Sequence, residues 1–144
     1  MNKQFKGNED NHKACASPQA SCFACGCDNP CGLRLRFETS NHGASATEWV
    51  PETFTEGFSG IVHGGIVSTV LDEAMSKAVA AAGMSALTAE LRVRLRHQVP
   101  PKRLVQVRGW INSHTRRLIK AEAAITNLEG TELAHAWASF LAVK

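Results

Sequence analysis

The chain has 144 residues, of which 44% are hydrophobic and 20% charged, and its formal net charge is +3. This length suits one domain with a substantial core and is short for two ordinary domains. The composition is typical of a folded globular protein rather than a disordered chain, and the basic residues form no block typical of a nucleic-acid-binding surface. We therefore expect one folded domain that does not bind nucleic acid.

The beginning of the chain carries no apolar segment typical of an export signal. Residues 1–21 are polar and aperiodic, and no later segment approaches the roughly 18 consecutive apolar residues of a membrane span. The sequence thus predicts a cytoplasmic protein with no membrane partner. We expect a flexible segment at 1–21 and a folded domain at 22–144.

Alternating apolar residues predict two strands in the first third of the domain. In LRLRFET, residues 33–39, the side chains of Leu33, Leu35 and Phe37 share one face. SNHG at 40–43 is typical of a turn, and a second strand is expected at 44–50, where Pro51 ends it.

One long amphipathic helix is predicted at 66–79. Pairs of apolar residues recur there and are separated by the polar pairs Ser68/Thr69, Asp72/Glu73 and Ser76/Lys77. This period of about 100° per residue gives a helix with one polar stripe, and Gly83 is a plausible stop after it.

The rest of the chain is predicted to form strands at 87–99, 104–113, 118–128 and 132–143, the last two joined by a turn at Glu129-Gly130. The fold class is therefore α+β, with a single helix against an antiparallel sheet. Because one helix cannot cover both faces and the edges of such a sheet, we expect a homo-oligomer.

The start of the helix is a candidate anion site. The N–H groups of Gly64 and Gly65 lie at the positive end of the helix dipole and lack helical acceptors. They are able to hold a developing oxyanion of a thioester or ester, although a Gly-Gly pair is more often only a turn.

Two adjacent acids on the helix are candidates for the reactive group. Asp72 lies on the polar stripe in line with Ser68 and Ser76, where its carboxylate is able to activate water or attack a carbonyl carbon. Glu73, rotated by about 100° around the helix, is the competing residue.

The stretch GFSGIVHGGIVSTVLDEAMSKA at 57–78 resembles the signature of the hot-dog-fold acyl-CoA thioesterases. It is most similar to the phenylacetate-pathway-like branch of the 4-hydroxybenzoyl-CoA thioesterase superfamily, in which HGG opens the central helix and an acid lies nine residues after the His. Here Asp72 lies nine residues after His63, which favours Asp72 over Glu73. CFACG..NP.GL at 22–33 and TAELRVRLRHQVP at 88–100 resemble other parts of these proteins.

The resemblance implies a hot-dog fold, an antiparallel sheet wrapped around one long helix, and hydrolysis of an acyl-CoA to a carboxylic acid and coenzyme A. It implies that the N–H of Gly64 polarises the thioester carbonyl and that Asp72, supplied by the opposite protomer, is the base or nucleophile. Thr88 matches a hydroxyl position that orients the attacking water in some relatives, and His63 shapes the loop near the carbonyl. Glu56 stands in the loop where many relatives carry Gln or Asn.

The remaining candidate substrate contacts are Gly65 and a row of arginines. Arg92, Arg94 and Arg96 alternate along one predicted strand face, where they are able to receive the phosphates of coenzyme A or simply face solvent. His97 on the other side of that strand is expected to be a core histidine. The tryptophans are expected in the core or an interface: Trp49, Trp110 and Trp137.

Four cysteines crowd into ten residues, at Cys22, Cys25, Cys27 and Cys31. Four thiolates are able to hold zinc, but zinc sites usually separate two Cys-x-x-Cys pairs by a longer loop. We therefore expect reduced thiols in a tight turn, no metal and no cofactor, since coenzyme A belongs to the substrate.

Two other functions have partial support in the sequence. Asp28-Asn29-Pro30 superficially resembles part of the Asp-x-Asn-Pro-x-His element of hydratases with this fold, but the His is missing. A non-catalytic acyl-CoA-binding protein is the main alternative to an enzyme, although such a protein has no need for the Asp72 carboxylate.

Overall fold

The computed structural model describes residues 19–144. Its elements, in chain order, are β1 (Glu38–Ser40), β2 (Ala44–Trp49), a short 3-10 helix (Thr53–Thr55), β3 (Glu56–Phe58), β4 (Ile61–Val62), α1 (Gly64–Ala81), β5 (Ala86–Leu95), β6 (Val105–His114), β7 (Leu118–Thr126) and β8 (Glu132–Ala142). The chain divides into two compact units, one ending at Arg34 and the other comprising Leu35–Lys144. All of these elements belong to the second unit.

The second unit is built on one antiparallel sheet with the strand order β1-β2-β6-β7-β8-β5. Strands β3 and β4 form a separate small hairpin directly before the helix. Helix α1 lies against one face of the sheet and contacts β2, β5, β6, β7 and β8. This arrangement confirms the predicted α+β class and the predicted helix, which is extended by two residues at each end.

The core lies between the apolar side of α1 and the inner face of the sheet. The helix contributes side chains that are fully shielded from solvent, namely Val70, Leu71, Ala74, Met75 and Ala78. The sheet contributes alternating buried residues from β7 and β8, many of them alanines: Ile119, Ala121, Ala123, Ile125, Ala134, Ala136, Ala138 and Phe140. These small side chains leave room for the helix to lie close to the sheet.

The helix and the sheet approach each other closely at Gly109 of β6. A Cβ atom at this position would lie 2.4 Å from the carbonyl oxygen of Ala74, so the helix backbone sits where a side chain would be. The buried hydroxyl of Ser45 donates a 2.6 Å hydrogen bond to the same oxygen. These two contacts fix the height and rotation of α1, and hence the direction of its polar stripe.

The first predicted strand, 33–39, is wrong over its first five residues. Leu35 is buried, as the alternation suggested, but strand pairing begins only at Glu38. Arg34 has a φ of 55°, a left-handed conformation that cannot continue a strand. The other predicted strands agree with the observed ones within about two residues at most ends, except that β5 ends at Leu95 rather than at Val99.

Strand β5 is an edge strand with an extra residue near its start. Thr88 pairs with Phe140 and Glu90 pairs with Ser139, so Ala89 has no partner of its own on β8. Such a bulge reverses the alternation of side chains on either side of it. Thr88 consequently points to the helix side of the sheet, together with Leu91 and Leu95.

The described part of the first unit, residues 19–34, is a series of tight turns. Gly26 N–H donates to the carbonyl of Cys22 at 2.8 Å, and Leu33 N–H donates to the carbonyl of Phe23 at 2.8 Å. Cys22, Cys25 and Cys31 take part in no disulfide.

The expectation of reduced thiols is wrong at Cys27, which is disulfide-bonded. The spacing of cysteines in the sequence does not show which of them form a disulfide. A site of four thiolates is therefore excluded in this state, because a disulfide sulfur is no longer an anionic metal ligand. The predicted absence of a metal stays a prediction, as does the boundary between residues 21 and 22. Most of the predicted flexible segment lies outside the described residues.

None of the helices in residues 19–144 combines the length and hydrophobicity needed to cross a membrane.

Candidate active site

The helix begins with a cap made by a histidine. His63 has extended backbone angles, with φ of −57° and ψ of 132°, and its Nδ1 atom accepts a 2.9 Å hydrogen bond from the N–H of Gly65. Accepting this bond requires Nδ1 to be unprotonated, so the neutral ring carries its proton on Nε2. The predicted role of His63 in shaping the loop agrees with this geometry.

Gly64 has the one N–H of the first helical turn that remains available for a ligand. Ile66 and Val67 donate to the carbonyl of His63, at 2.9 Å and 3.1 Å, and Gly65 donates to its ring. The N–H of Gly64 has no acceptor within residues 19–144. It also lies at the positive end of an 18-residue helix, which favours a developing negative charge there.

Gly64 lines a cavity of about 700 Å³. Its walls come from the β3–β4 hairpin, the helix start and the segment that follows β5: Gly57, Phe58, Ile61, Val62, His63, Gly64, Val67, Leu95, Arg96, His97, Gln98 and Val99. A Cβ atom on residue 64 would lie 2.9 Å from Leu95 Cδ1, so glycine leaves this space open. A ligand is thereby able to approach the backbone closely.

Asp72 lies further along the helix and is half-buried. Its Oδ1 accepts a 2.7 Å hydrogen bond from the hydroxyl of Thr88 in β5. Burial raises the pKa of Asp72 above its ordinary value of 3.8, the hydrogen bond from Thr88 lowers it, and the nearby charge of Glu73 raises it. The net shift is upward, which brings this carboxyl closer to the range in which a general base works at neutral pH.

Glu73 is placed differently from its neighbour. Its carboxylate lies 3.6 Å from the ammonium group of Lys77, one turn along the helix, in an ordinary i,i+4 ion pair. The raised pKa and the hydrogen bond from the Thr88 hydroxyl belong to Asp72.

The two halves of the predicted site are far apart in a single chain. Gly64 and Asp72 are eight residues apart on one helix, which is about 12 Å along its axis at 1.5 Å per residue. Asp72 and Thr88 do not line the cavity below Gly64. One chain therefore cannot bring both groups to the same carbonyl.

The three predicted arginines differ in their contacts. Arg92 lies over the ring of Trp137, 4.7 Å from its centroid, and Arg94 pairs with His135, so both lie on the sheet face opposite the helix. Arg96, just beyond the end of β5, lies among the residues that line the cavity, and its Nε lies 3.3 Å from a carboxylate oxygen of Glu132 that also contacts His135. Successive N–H groups of Arg96 and His97 donate to the carbonyl of Leu133, at 2.9 Å and 3.0 Å.

The remaining sequence predictions concern Glu56, Gly65, His97 and the three tryptophans. Glu56 lies opposite Val62 in the β3–β4 hairpin and does not line the cavity, and neither does Gly65. His97 is exposed and faces the cavity, so the expectation of a core histidine is wrong: β5 ends before it. Trp49 is buried, whereas Trp110 and Trp137 are half-buried.

Sequence reasoning missed most of the cavity wall. No sequence motif indicated Phe58, Leu95 or Gln98. They line the same cavity because the β3–β4 hairpin and the segment after β5 approach the helix start from two sides. An early end to the strand at Leu95 is signalled only by the nearby Pro100-Pro101 pair.

A model of the thioesterase superfamily matches residues 59–134, just over half of the chain and including both Gly64 and Asp72. The chain belongs to the thioesterase superfamily. No match was found among curated protein sequences.

Solved structures resemble this thioesterase-superfamily protein over most of its length. One is described as a thioesterase superfamily protein, with a TM-score of 0.77 and 23% identity over 81% of this chain and 61% of that one, less than two thirds of its length. A hypothetical thioesterase from Streptococcus pneumoniae, solved with coenzyme A, has a TM-score of 0.72 and 17% identity over 76% of this chain and 85% of its own. A mutant of the phenylacetic acid degradation protein PaaI from Thermus thermophilus has a TM-score of 0.71 and 18% identity over 77% and 95%. At these identities the likeness shows the fold, and it confirms the hot-dog fold predicted from the sequence.

Proposed function

We propose that this protein is an acyl-CoA thioesterase, which hydrolyses the thioester to a carboxylic acid and free coenzyme A. The observation that carries the proposal is the raised pKa of Asp72 next to the Thr88 hydroxyl, in a superfamily member whose Gly64 N–H lacks an acceptor within the described residues. The solved structure with coenzyme A, and one from Streptococcus mutans bound to acetyl-CoA, support a coenzyme A thioester as the substrate class.

Gly64 supplies the electrophilic half of the reaction. Its N–H donates to the carbonyl oxygen of the thioester, and this bond strengthens as the oxygen becomes negative in the transition state. The positive end of α1 adds to the stabilisation, because the developing charge lies within the first turn.

Asp72 supplies the other half. As a general base it takes a proton from water, the water oxygen bonds to the carbonyl carbon, the C–S bond breaks, and the leaving thiolate takes the proton back from the carboxyl group. As a nucleophile it bonds to the carbonyl carbon itself, the C–S bond breaks and the coenzyme A thiolate leaves and takes a proton from solvent; water then cleaves the resulting acyl-enzyme anhydride to the carboxylic acid and the free Asp72 carboxylate. In both routes the Thr88 hydroxyl holds one carboxylate oxygen and leaves the other for the reaction.

The complete site is assembled from two chains. Because about 12 Å separates Gly64 from Asp72 in one chain, the Asp72 that acts at a given Gly64 belongs to a second protomer. Strand β5 offers the surface for this pairing: it is a ten-residue edge strand, and its Leu87, Leu91 and Leu95 side chains are 67%, 38% and 55% exposed. Unpaired edges of this length are normally covered. A homodimer is the smallest assembly that meets the requirement.

The alternative is a protein of the same fold that binds acyl-CoA without hydrolysing it. Asp72 argues against this alternative, since a half-buried carboxylate with a raised pKa weakens the fold and contributes nothing to holding an anionic ligand.

A panel of acyl-CoA substrates, with free thiol as the readout, distinguishes the two functions. The proposed enzyme releases thiol from at least one substrate class, and the release stops on Asp72→Asn substitution. Tight acyl-CoA binding with no thiol release from any substrate would favour the binding protein.

A further inference from the structure

The His63 side chain is exposed and yet held in place. The His63 backbone N–H donates a 2.8 Å hydrogen bond to the carbonyl oxygen of Thr55, and the His63 carbonyl oxygen accepts from Ile66 and Val67. The ring accepts from the N–H of Gly65 through Nδ1. An exposed side chain normally changes rotamer freely, whereas the backbone and the ring of this one are both bonded.

Two glycines lie on either side of the ring. A Cβ atom at Gly57 would lie 3.1 Å from Cα and 3.2 Å from Cδ2 of His63, and a Cβ atom at Gly65 would lie 3.0 Å from Nδ1 and 3.1 Å from Cε1. Non-bonded carbon atoms pack best at about 3.5 to 4.0 Å, so a side chain at either position would force His63 to shift. The observed place of the ring therefore depends on the absence of both side chains.

Backbone conformation does not explain these two glycines. Within residues 19–144 the glycines with a positive φ are Gly43, Gly60, Gly83 and Gly130. Gly57 lies in β3 and Gly65 in the first turn of α1, where glycine is less favourable than alanine unless the site requires it. The contacts above supply a different reason, which is the space that each glycine leaves for the His63 ring.

The place of the ring decides which amide of the helix start is left for a substrate. With Nδ1 bonded to the Gly65 N–H, the Gly64 N–H is the one amide of the first turn that has no acceptor in the described residues. If the ring moved away, the Gly65 N–H would also lack an acceptor, and a carbonyl oxygen would meet two competing donors. A donor that is fixed in advance stabilises a developing oxyanion better than donors that must reorganise.

We propose that Gly57 and Gly65 are positioning residues, which hold the His63 ring in its capping place and thereby leave the Gly64 N–H as the donor to the thioester carbonyl. The catalytic part of this inference rests on the proposed function. It also changes the assignment of Gly65, from a predicted substrate contact to a residue that acts through His63.

A stability cycle tests the contact at Gly65. Alanine is normally more stable than glycine at an exposed helix position, so Gly65→Ala should raise the thermal unfolding midpoint by about 3 °C in the His63→Ala background, which lacks the ring. In the wild-type background the added Cβ displaces the ring and breaks the cap, so the same substitution should lower the midpoint. Equal shifts in the two backgrounds, measured at one protein concentration, would show that Gly65 does not position the ring.

Gly57→Val tests the other side of the ring. In ¹⁵N-labelled protein the scalar coupling between the backbone nitrogen of Gly65 and Nδ1 of His63 passes through their hydrogen bond, so it reports the cap directly. The wild type should show this coupling and Gly57→Val should lose it. The matched control is Ser59→Val, which adds the same side chain at an exposed position of the same hairpin, outside the cavity wall, and should keep the coupling. A coupling that persists in Gly57→Val, or that is absent from the wild type, overturns the inference.

The kinetics of these two variants test the link to Gly64. With the best substrate of the acyl-CoA panel, Gly57→Val should lower kcat about tenfold and leave KM nearly unchanged, as expected for a weakened hydrogen bond that matters in the transition state. Ser59→Val should leave both values near those of the wild type. If Gly57→Val lost the coupling but kept its kcat, or raised only KM, the cap would not serve the reaction.

The positioning role and the proposed function fail separately. If the wild-type protein hydrolyses no thioester of the panel, the thioesterase proposal fails, and the link to catalysis fails with it. The unfolding midpoints and the coupling are measured without substrate, so they still decide whether the two glycines hold the ring. Unequal midpoint shifts and a coupling lost in Gly57→Val support that role, whereas equal shifts or a retained coupling contradict it.

Discussion

The Thr88 hydroxyl donates a 2.7 Å hydrogen bond to Oδ1 of Asp72, and this bond joins the edge strand β5 to the only long helix of the described chain. Two features of the backbone make the contact possible. Gly109 lets α1 lie against the sheet, and the bulge at Ala89 turns Thr88 towards the helix. Without the bulge Thr88 would face the opposite side with Arg92, and Asp72 would lack a hydroxyl partner.

Asp72→Asn should remove most of the hydrolytic activity. Asn keeps the shape of the side chain but cannot accept a proton or attack the thioester, and the loss of a general base typically lowers kcat by about 10² to 10⁴-fold. The matched control is Glu73→Gln, which removes the charge that pairs with Lys77 and should lower kcat by much less. Steady-state kinetics with the best substrate of the panel gives both values. Equal losses in the two variants would contradict the assignment.

Thr88→Val should move the acid limb of the pH–rate profile to higher pH. The Thr88 hydrogen bond lowers the pKa of Asp72, so its removal raises that pKa further, and a higher pH is then needed to ionise the carboxyl group. Thr88→Ser keeps the hydroxyl and should leave the limb near its wild-type position. The profile of kcat/KM against pH reports this group in the free enzyme. A shift to lower pH in Thr88→Val would contradict the role of the bond.

Asp72→Asn should also stabilise the fold at neutral pH. Because the pKa of Asp72 is raised in the folded state, folding favours the protonated carboxyl, and this contribution is lost as pH rises through the folded-state pKa. Asn carries no charge, so the variant should have the larger free energy of unfolding at pH 7, and the difference should shrink as pH falls through the folded-state pKa of Asp72 towards its ordinary value of 3.8. Urea denaturation at several pH values measures this. A variant that is less stable than the wild type at pH 7 would argue against a desolvated carboxylate.

Leu91→Lys in β5 should weaken the dimer. The Leu91 side chain is 38% exposed on an edge strand, and a charge there opposes the close contact with a second copy. Leu128→Lys is the control, since Leu128 is 66% exposed near the β7–β8 turn. Sedimentation velocity should show a lower dimer fraction for Leu91→Lys alone. Dimerisation unaffected by Leu91→Lys would place the interface elsewhere.

The helix was predictable because it follows from local spacing. The pairs of apolar residues from Ile66 to Val79 define one face, and the nine-residue step from His63 to Asp72 distinguishes Asp72 from Glu73 through a resemblance to a known family. Three features of the site were visible only in the structure. They are the helix cap by the His63 ring, the Gly64 N–H that lacks an acceptor within the described residues, and the hydrogen bond from Thr88 to Asp72.

The errors arise where one backbone conformation changes the alternation. A left-handed Arg34 shortens the first strand, and the unpaired Ala89 reverses the faces of β5. Neither residue is a glycine or proline, so the sequence carries no local signal for the change.

The central claim is that each active site combines Gly64 of one chain with Asp72 of another, and a mixture of two inactive variants tests it most directly. Asp72→Asn removes the carboxylate, and Gly64→Pro removes the N–H at the first helical position, where proline is well tolerated and where the ψ of 132° at His63 suits a following proline. Gly64→Ala, which keeps the N–H, is the control for the added side chain.

Each variant should be nearly inactive alone. When the two are mixed in equal amounts and their subunits exchange, half of the dimers are hybrids, each with one intact site, and about a quarter of the wild-type activity should return. Exchange confirmed by native mass spectrometry, with both variants folded and dimeric and no activity recovered, would contradict a site shared between chains.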